Sequence, residues 1–172
     1  MTLKIYCRVK DDPINYKILS DNNTNLSIPY KNKEFKFNLH GVFQNINNED
    51  IFKKLISKKQ SLVNYWVLFG YTGTGKTYTT NGLLQQLLRY YGKDIKASAI
   101  QIYNNDIYDL LTKKKLKFYK TLKLVIKNKT IKDIKCEDDI NSFLKVLQKN
   151  RAQNKTDYNS VSSRSHAIIN IF

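Results

Sequence analysis

Three features of the sequence predict an α/β domain with a largely parallel core: strand-like and helix-like stretches alternate, one nearly continuous apolar run reads as a buried strand, and that run feeds a glycine-rich loop and a leucine-striped helix. Residues 3–10 alternate Leu, Ile, Cys and Val with Lys, Tyr, Arg and Lys, the pattern of an amphipathic strand. Residues 11–34 are rich in Asn, Asp, Ser and Lys and hold both prolines, so they read as turns and short edge strands, with 35–39 another short strand. Asn47, Asn48, Glu49 and Asp50 offer N-cap candidates and early acids, and Ile51, Phe52, Leu55 and Ile56 follow at helical spacing. Residues 62–69 form the apolar run, expected as a strand with both faces buried. Beyond the glycine-rich loop, Leu83, Leu84, Leu87, Leu88 and Tyr91 make a helical stripe that stops at Gly92. Residues 97–103 read as a strand and 122–127 weakly so. Asp138 and Asp139 then cap a helix carrying Ile140, Phe143, Leu144 and Leu147. Residues 154–165 read as polar loop, and 166–172 as a strand that runs into the last residue, as if the fold were cut there.

A chain of 172 residues with 41% hydrophobic and 12% aromatic residues has the length and composition of one domain with a real core. Cys7 and Cys136 are too few for a disulfide framework, which fits an intracellular chain. No apolar run approaches the length of a membrane span, so no membrane partner is expected, and the N-terminus lacks the apolar stretch of a signal peptide. Thirty Lys+Arg against fourteen Asp+Glu give a net charge of +16, which favours an acidic partner. A base-composition bias is the bland alternative, because lysine, asparagine and isoleucine all have codons of A and T. The charge is uneven, with ten lysines between residues 112 and 135 (Lys113, Lys114, Lys115, Lys117, Lys120, Lys123, Lys127, Lys129, Lys132, Lys135) against one acid, Asp133. That stretch has no arginine and only Phe118 and Tyr119 as aromatics, so it lacks the stacking pattern of a nucleic-acid binder, the weakest of the partner readings.

Gly70, Gly75, Lys76 and Thr77 satisfy the phosphate-loop pattern G-x-x-x-x-G-K-[ST]. Glycines let the backbone curl so that successive N–H groups face phosphate oxygens, and a helix starting at Lys76 adds its positive end. Lys76 would reach the β- and γ-phosphates of a nucleotide, and the Thr77 hydroxyl would ligate Mg²⁺. Further on, Asn159, Ser162, Ser163, Arg164, Ser165 and His166 form N-x-x-S-S-R-S-H, which places hydroxyls, a guanidinium and an imidazole in one loop suited to sensing a γ-phosphate.

Together these stretches resemble the kinesin motor domain, whose phosphate loop reads G-Q-T-x-x-G-K-T and whose switch I reads N-x-x-S-S-R-S-H. Ile5, Tyr6, Cys7, Arg8, Val9 and Lys10 resemble the family's first strand and its Arg-x-Arg-Pro adenine motif, and Phe35, Lys36 and Phe37 with Val42 and Phe43 its F-x-F-D-x-V-F segment. Ile102 to Leu111 is similar to E-I-Y-N-E-x-V-Y-D-L-L, and Arg151 and Thr156 sit at the family's spacing before Asn159. The resemblance implies a P-loop NTPase fold of kinesin-motor type, a mostly parallel central sheet flanked by helices, truncated after the switch I strand. Residues 1–172 would be the N-terminal half of a motor domain, with switch II and the microtubule-binding helix absent.

By the same resemblance, Gly70, Tyr71, Thr72, Gly73, Thr74, Gly75, Lys76 and Thr77 hold the phosphates of ATP or ADP, with Thr77 and Ser163 at the Mg²⁺. Ser162 and Ser163 approach the γ-phosphate, Asn159 belongs to the same switch, and Arg164 pairs with a switch II glutamate that the chain lacks. Arg8 borders the adenine and Tyr78 stacks on it. His166 is expected to be structural. Tyr71 stands where the family has Gln, Asp11 where it has Pro, and Gln101 and Asn105 where it has Glu. The implied function is that of an ATPase motor on microtubules, cytoplasmic and cytoskeletal, with tubulin opposite the lysine-rich stretch. This half alone is expected to turn over ATP poorly and to need a complementary C-terminal half. The alternative is a non-motor nucleotide-binding or interaction module from a split or decayed gene.

Overall fold

A computed structural model describes residues 3–9, 16–19, 24–56, 64–71, 73–92, 94–120, 124–156 and 165–172. The chain divides into two units, residues 1–60 and 61–172.

In the first unit, β1 (Tyr6–Val9) pairs in parallel with β5 (Gly41–Gln44), Tyr6 opposite Gly41 and Val9 opposite Gln44. Three antiparallel strands, β2 (Lys17–Ile18), β3 (Asn25–Tyr30) and β4 (Lys33–Asn38), form a second sheet. Lys31 and Asn32, with φ of 46° and 62°, turn the β3–β4 hairpin in the left-handed conformation that matches strand twist. Tyr16, Leu26 and Val42 form one buried cluster of the unit, with Cys7, Val9, Ile18, Ile28 and Leu39 packed against it. Burial pushes the Cys7 thiol above its usual range. The expected first helix is α1 (Asn48–Leu55), capped by Asn47, whose Oδ1 accepts the Asp50 N–H at 2.8 Å while its Nδ2 donates to Asp50 Oδ2 at 2.9 Å. Ile51 and Phe52 are its buried residues.

In the second unit, α2 (Lys76–Tyr91) ends at Gly92, as its leucine stripe predicts, and leads to the long strand β6 (Ile95–Tyr103). Asn104 and Asn105, with φ of 47° and 64°, reverse the chain into β7 (Asp106–Asp109). The short strands β8 (Lys115–Leu116), β9 (Phe118–Lys120), β10 (Leu124–Ile126) and β11 (Lys132–Ile134) follow, then α3 (Glu137–Thr156) and β12 (Ser165–Ile171). β6 pairs with β11 at one end, with β7 at the other and with β12 along residues 97–103. Residues 100–103 of β6 pair with β7 and β12 at once, so those two strands lie on opposite edges of β6. Ala97 is shared in the same way between β11 and β12.

One face of this sheet carries the core. Leu84 and Leu88 of α2 and Ile140, Phe143, Leu144 and Leu147 of α3 pack over Ala97, Ala99, Leu110 and Ile134, with Ala167, Ile169 and Ile171 against them. Fully burying one such side chain, Phe143 for example, is worth about 1.5–3 kcal/mol. On the opposite face Ile100, Ile107 and Leu116 form a smaller cluster. α2 and α3 are also joined at the surface by an Arg89–Glu137 ion pair, in which Arg89 Nε donates to Oε1 at 2.9 Å.

Two expectations are corrected. The parallel core does not form among the described residues: β1–β5 is the one parallel pair, and all of β6's partners run antiparallel to it. The two-residue turn between β6 and β7 allows no other direction. The buried strand over 62–69 is overturned as well. Residues 61–63 lie outside the described residues, and 64–69 belong to no strand, with Val67 and Phe69 82% and 87% exposed. A run apolar on both faces needs neighbours on both sides, and no described strand flanks it.

Candidate nucleotide-binding site

The glycine-rich loop joins the exposed run to α2. Gly70 has φ 155°, and a Cβ there would stand 3.0 Å from Thr74 Oγ1. Gly75, the N-cap of α2, has φ 87°, a left-handed conformation that side chains resist. Lys76, the first residue of α2, turns back over the loop, and its Nζ donates to the carbonyl oxygens of Gly70 and Tyr71, both at 2.7 Å. The Tyr71 carbonyl also accepts from Thr74 Oγ1 at 2.8 Å and Thr74 N at 3.3 Å. The loop thus holds its own shape and fixes the ammonium over it, so less ordering remains to be done when an anion binds.

The N-terminus of α2 differs from those of the other helices. α1 begins with Glu49 and Asp50 and α3 with Glu137, Asp138 and Asp139, whereas the first turn of α2 has no acid and Gly75 no capping side chain. Acids satisfy the positive end of the other two helices; this one suits an anion from outside. Thr77 lies in the same turn, one residue from the ammonium, and its hydroxyl is the hard oxygen donor that Mg²⁺ takes. A fixed ammonium, a helix N-terminus, a glycine-shaped loop and a hydroxyl are the donor set that fits a magnesium-bound polyphosphate. Tyr71 and Tyr78 are exposed beside it.

Of the residues singled out from sequence, Gly70, Tyr71, Gly73, Thr74, Gly75, Lys76, Thr77 and Tyr78 are brought together here. Thr72, Asn159, Ser162, Ser163 and Arg164 lie outside the described residues, as does Asp11. Arg8 belongs to the first unit, where its guanidinium donates to Asn48 Oδ1 at 2.5 Å and to the Ile46 carbonyl at 3.0 Å, joining β1 to the start of α1. His166 is the second residue of β12, opposite Ile102. Burial pushes the Arg151 guanidinium below its usual range.

Sequence reasoning passed over Asp109. Its carboxylate is buried and accepts the N–H groups of Leu111 at 2.7 Å, Thr112 at 3.1 Å and Thr130 at 2.5 Å. An aspartate directly before a turn is the local signal for such bonding, but the reach to Thr130 has none.

The sequence pattern of the kinesin motor domain matches residues 7–172. The chain belongs to the kinesin motor domain family. Kinesin-like protein 2 of Schizosaccharomyces pombe is 29% identical over 167 residues, covering 79% of this chain and 20% of that protein. Kinesin-like protein KIF18A of Mus musculus is 28% identical over 176 residues, with 87% and 20% covered. Kinesin-like protein KIN-14K of Oryza sativa subsp. japonica is 25% identical over 215 residues, with 98% and 21% covered. This kinesin-family chain spans about a fifth of the length of these curated relatives. Its fold is that of solved kinesin motor domains. The C-terminal motor domain of Kar3 from Candida glabrata aligns with TM-score 0.67 and 23% identity, covering 99% of this chain and 66% of that one. The Kar3 motor domain of Saccharomyces cerevisiae aligns with TM-score 0.69 and 23% identity, with 99% and 65% covered.

Proposed function

We propose that residues 1–172 are the nucleotide-binding part of a kinesin-like motor domain, which holds MgATP or MgADP at residues 70–77 and takes part in an ATPase cycle coupled to movement on microtubules. The observation that carries this reading is the Lys76 ammonium fixed 2.7 Å from two loop carbonyls at the N-terminus of a helix without first-turn acids. Backbone N–H groups of the loop and of α2 would receive the phosphates, with Thr72 completing the loop. Lys76 would neutralise the β- and γ-oxygens, and Thr77 would hold the metal. Bound Mg²⁺ would supply charge neutralisation across those oxygens.

In this reading Ser162, Ser163 and Asn159 form the switch at the γ-phosphate, with Ser163 at the metal's water shell. Arg164 pairs with a glutamate of a complementary C-terminal motor half, and Arg8 and Tyr78 border the adenine. The lysines of residues 113–135 face the acidic tubulin surface, which puts the protein on the cytoplasmic cytoskeleton. Among the described residues no helix is long and apolar enough to cross a membrane.

The test is the affinity of a fluorescent ADP in excess Mg²⁺. Lys76→Ala and Thr77→Ala should each weaken binding at least several-fold, and chelating the metal should mimic Thr77→Ala. Equal affinity of the wild type and Lys76→Ala would overturn the reading.

A further inference from the structure

We propose that Thr74 is a positioning residue of the phosphate loop: its hydroxyl fixes the Tyr71 carbonyl, and that carbonyl in turn fixes the Lys76 ammonium for an incoming phosphate. The inference rests on the nucleotide-binding reading above and adds to it a side chain that acts through another residue rather than on the ligand.

The Tyr71 carbonyl has two lone pairs and is approached by Lys76 Nζ at 2.7 Å, by Thr74 Oγ1 at 2.8 Å and by the Thr74 N–H at 3.3 Å. The N–H bond is longer than the roughly 3.2 Å that bounds ordinary N–H···O bonds, whereas the hydroxyl stands at the usual O–H···O distance. The hydroxyl is therefore the firm tie that closes the turn from Tyr71 to Thr74. Gly70 makes room for it, because a Cβ at that position would stand 3.0 Å from Thr74 Oγ1 and crowd the hydroxyl off its seat.

An ammonium carries three N–H donors, and Lys76 gives two of them to the Gly70 and Tyr71 carbonyls, both at 2.7 Å, which leaves the third for an anion. Two fixed anchors hold a long, rotamer-rich side chain in one place. With one anchor loosened the ammonium swings about the other, and a binding phosphate must then order it, at a cost in affinity. Thr74 thus reaches the anion by way of Tyr71 and Lys76. The family's phosphate-loop pattern G-Q-T-x-x-G-K-T leaves this position open, so the role is visible in the folded loop and not in the motif.

The test has two readouts on the full chain. The first is taken without nucleotide: the ammonium ¹H–¹⁵N signal of Lys76, assigned by its loss in Lys76→Ala, reports how fast its protons exchange with water. The second is the affinity of fluorescent ADP in excess Mg²⁺. Thr74→Val keeps the shape of the side chain and removes the hydroxyl; Thr74→Ser keeps the hydroxyl. The valine variant should exchange its Lys76 ammonium protons at least about threefold faster and bind ADP about three- to tenfold more weakly, the worth of one neutral hydrogen bond. The serine variant should restore both to within about twofold. Ammonium exchange that is alike in wild type and Thr74→Val, or in wild type as fast as that of the exposed lysines, overturns the inference. It is overturned too if serine fails to restore what valine loses, or if Thr74→Val binds ADP like wild type while Lys76→Ala does not. Equal ADP affinity of wild type and Lys76→Ala, or no ADP binding by either, overturns the nucleotide reading itself and the positioning role with it.

Discussion

Asp109 closes the neck of the lysine-rich excursion, and replacing it separates the worth of three bonds. The residue is 1% exposed at the end of β7. Oδ1 accepts from Leu111 and Thr112, where the excursion leaves, and Oδ2 from Thr130, where it returns. Asp109→Asn keeps one oxygen, which can serve Leu111 and Thr112, but sets an NH₂ group against the Thr130 N–H. A hydrogen bond to a charged acceptor is worth about 1.5–3 kcal/mol, so the asparagine variant should lose about 2 kcal/mol. Asp109→Ala removes all three acceptors and leaves backbone donors buried at about 1–3 kcal/mol each, not additively, for a loss of about 4 kcal/mol. Urea denaturation at unchanged m reads the totals. Amide exchange reads the location, since Thr130 should speed up in the asparagine variant while Leu111 does not. An asparagine variant within about 0.5 kcal/mol of wild type, or an unaltered Thr130 amide, would refute the reasoning.

Reversing the charge of Lys113 and Lys114, sparing Lys115 because its ammonium is bridged to Asp106 at 2.8 Å, should reduce microtubule co-sedimentation and flatten its fall with salt; an unchanged salt profile would return these lysines to a solvated face. The Arg89 guanidinium is the main cause that holds the Glu137 carboxyl below the usual carboxylate range. Stability from that pair is fully present above the unfolded glutamate value of about 4.3 and is lost as pH falls through the lower folded value. Urea midpoints of wild type and Arg89→Ala should therefore differ at neutral pH and converge in acid, and a pH-independent offset would contradict the pairing.

The elements legible in the sequence are those with a local cause. α1 follows from the Asn47 cap and the spacing of Ile51 and Phe52, α2 from its leucines and Gly92, and α3 from its early acids and the stripe at Ile140, Phe143, Leu144 and Leu147. The phosphate loop is legible for the same reason, because its chemistry needs fixed residue types within eight consecutive positions. Tertiary structure alone decided which way strands run and what covers them. Periodicity reports which faces a segment would bury, but pairing direction depends on the turn and on distant partners, so the Asn104–Asn105 reversal and the return of β12 along β6 make an antiparallel sheet where a parallel one was expected. Residues 62–69 carry the sequence of a buried strand, yet those described stand exposed, because burial is a property of neighbours. Asp109 escaped notice on the same ground: its third partner is 21 residues away, a distance that only the folded chain closes.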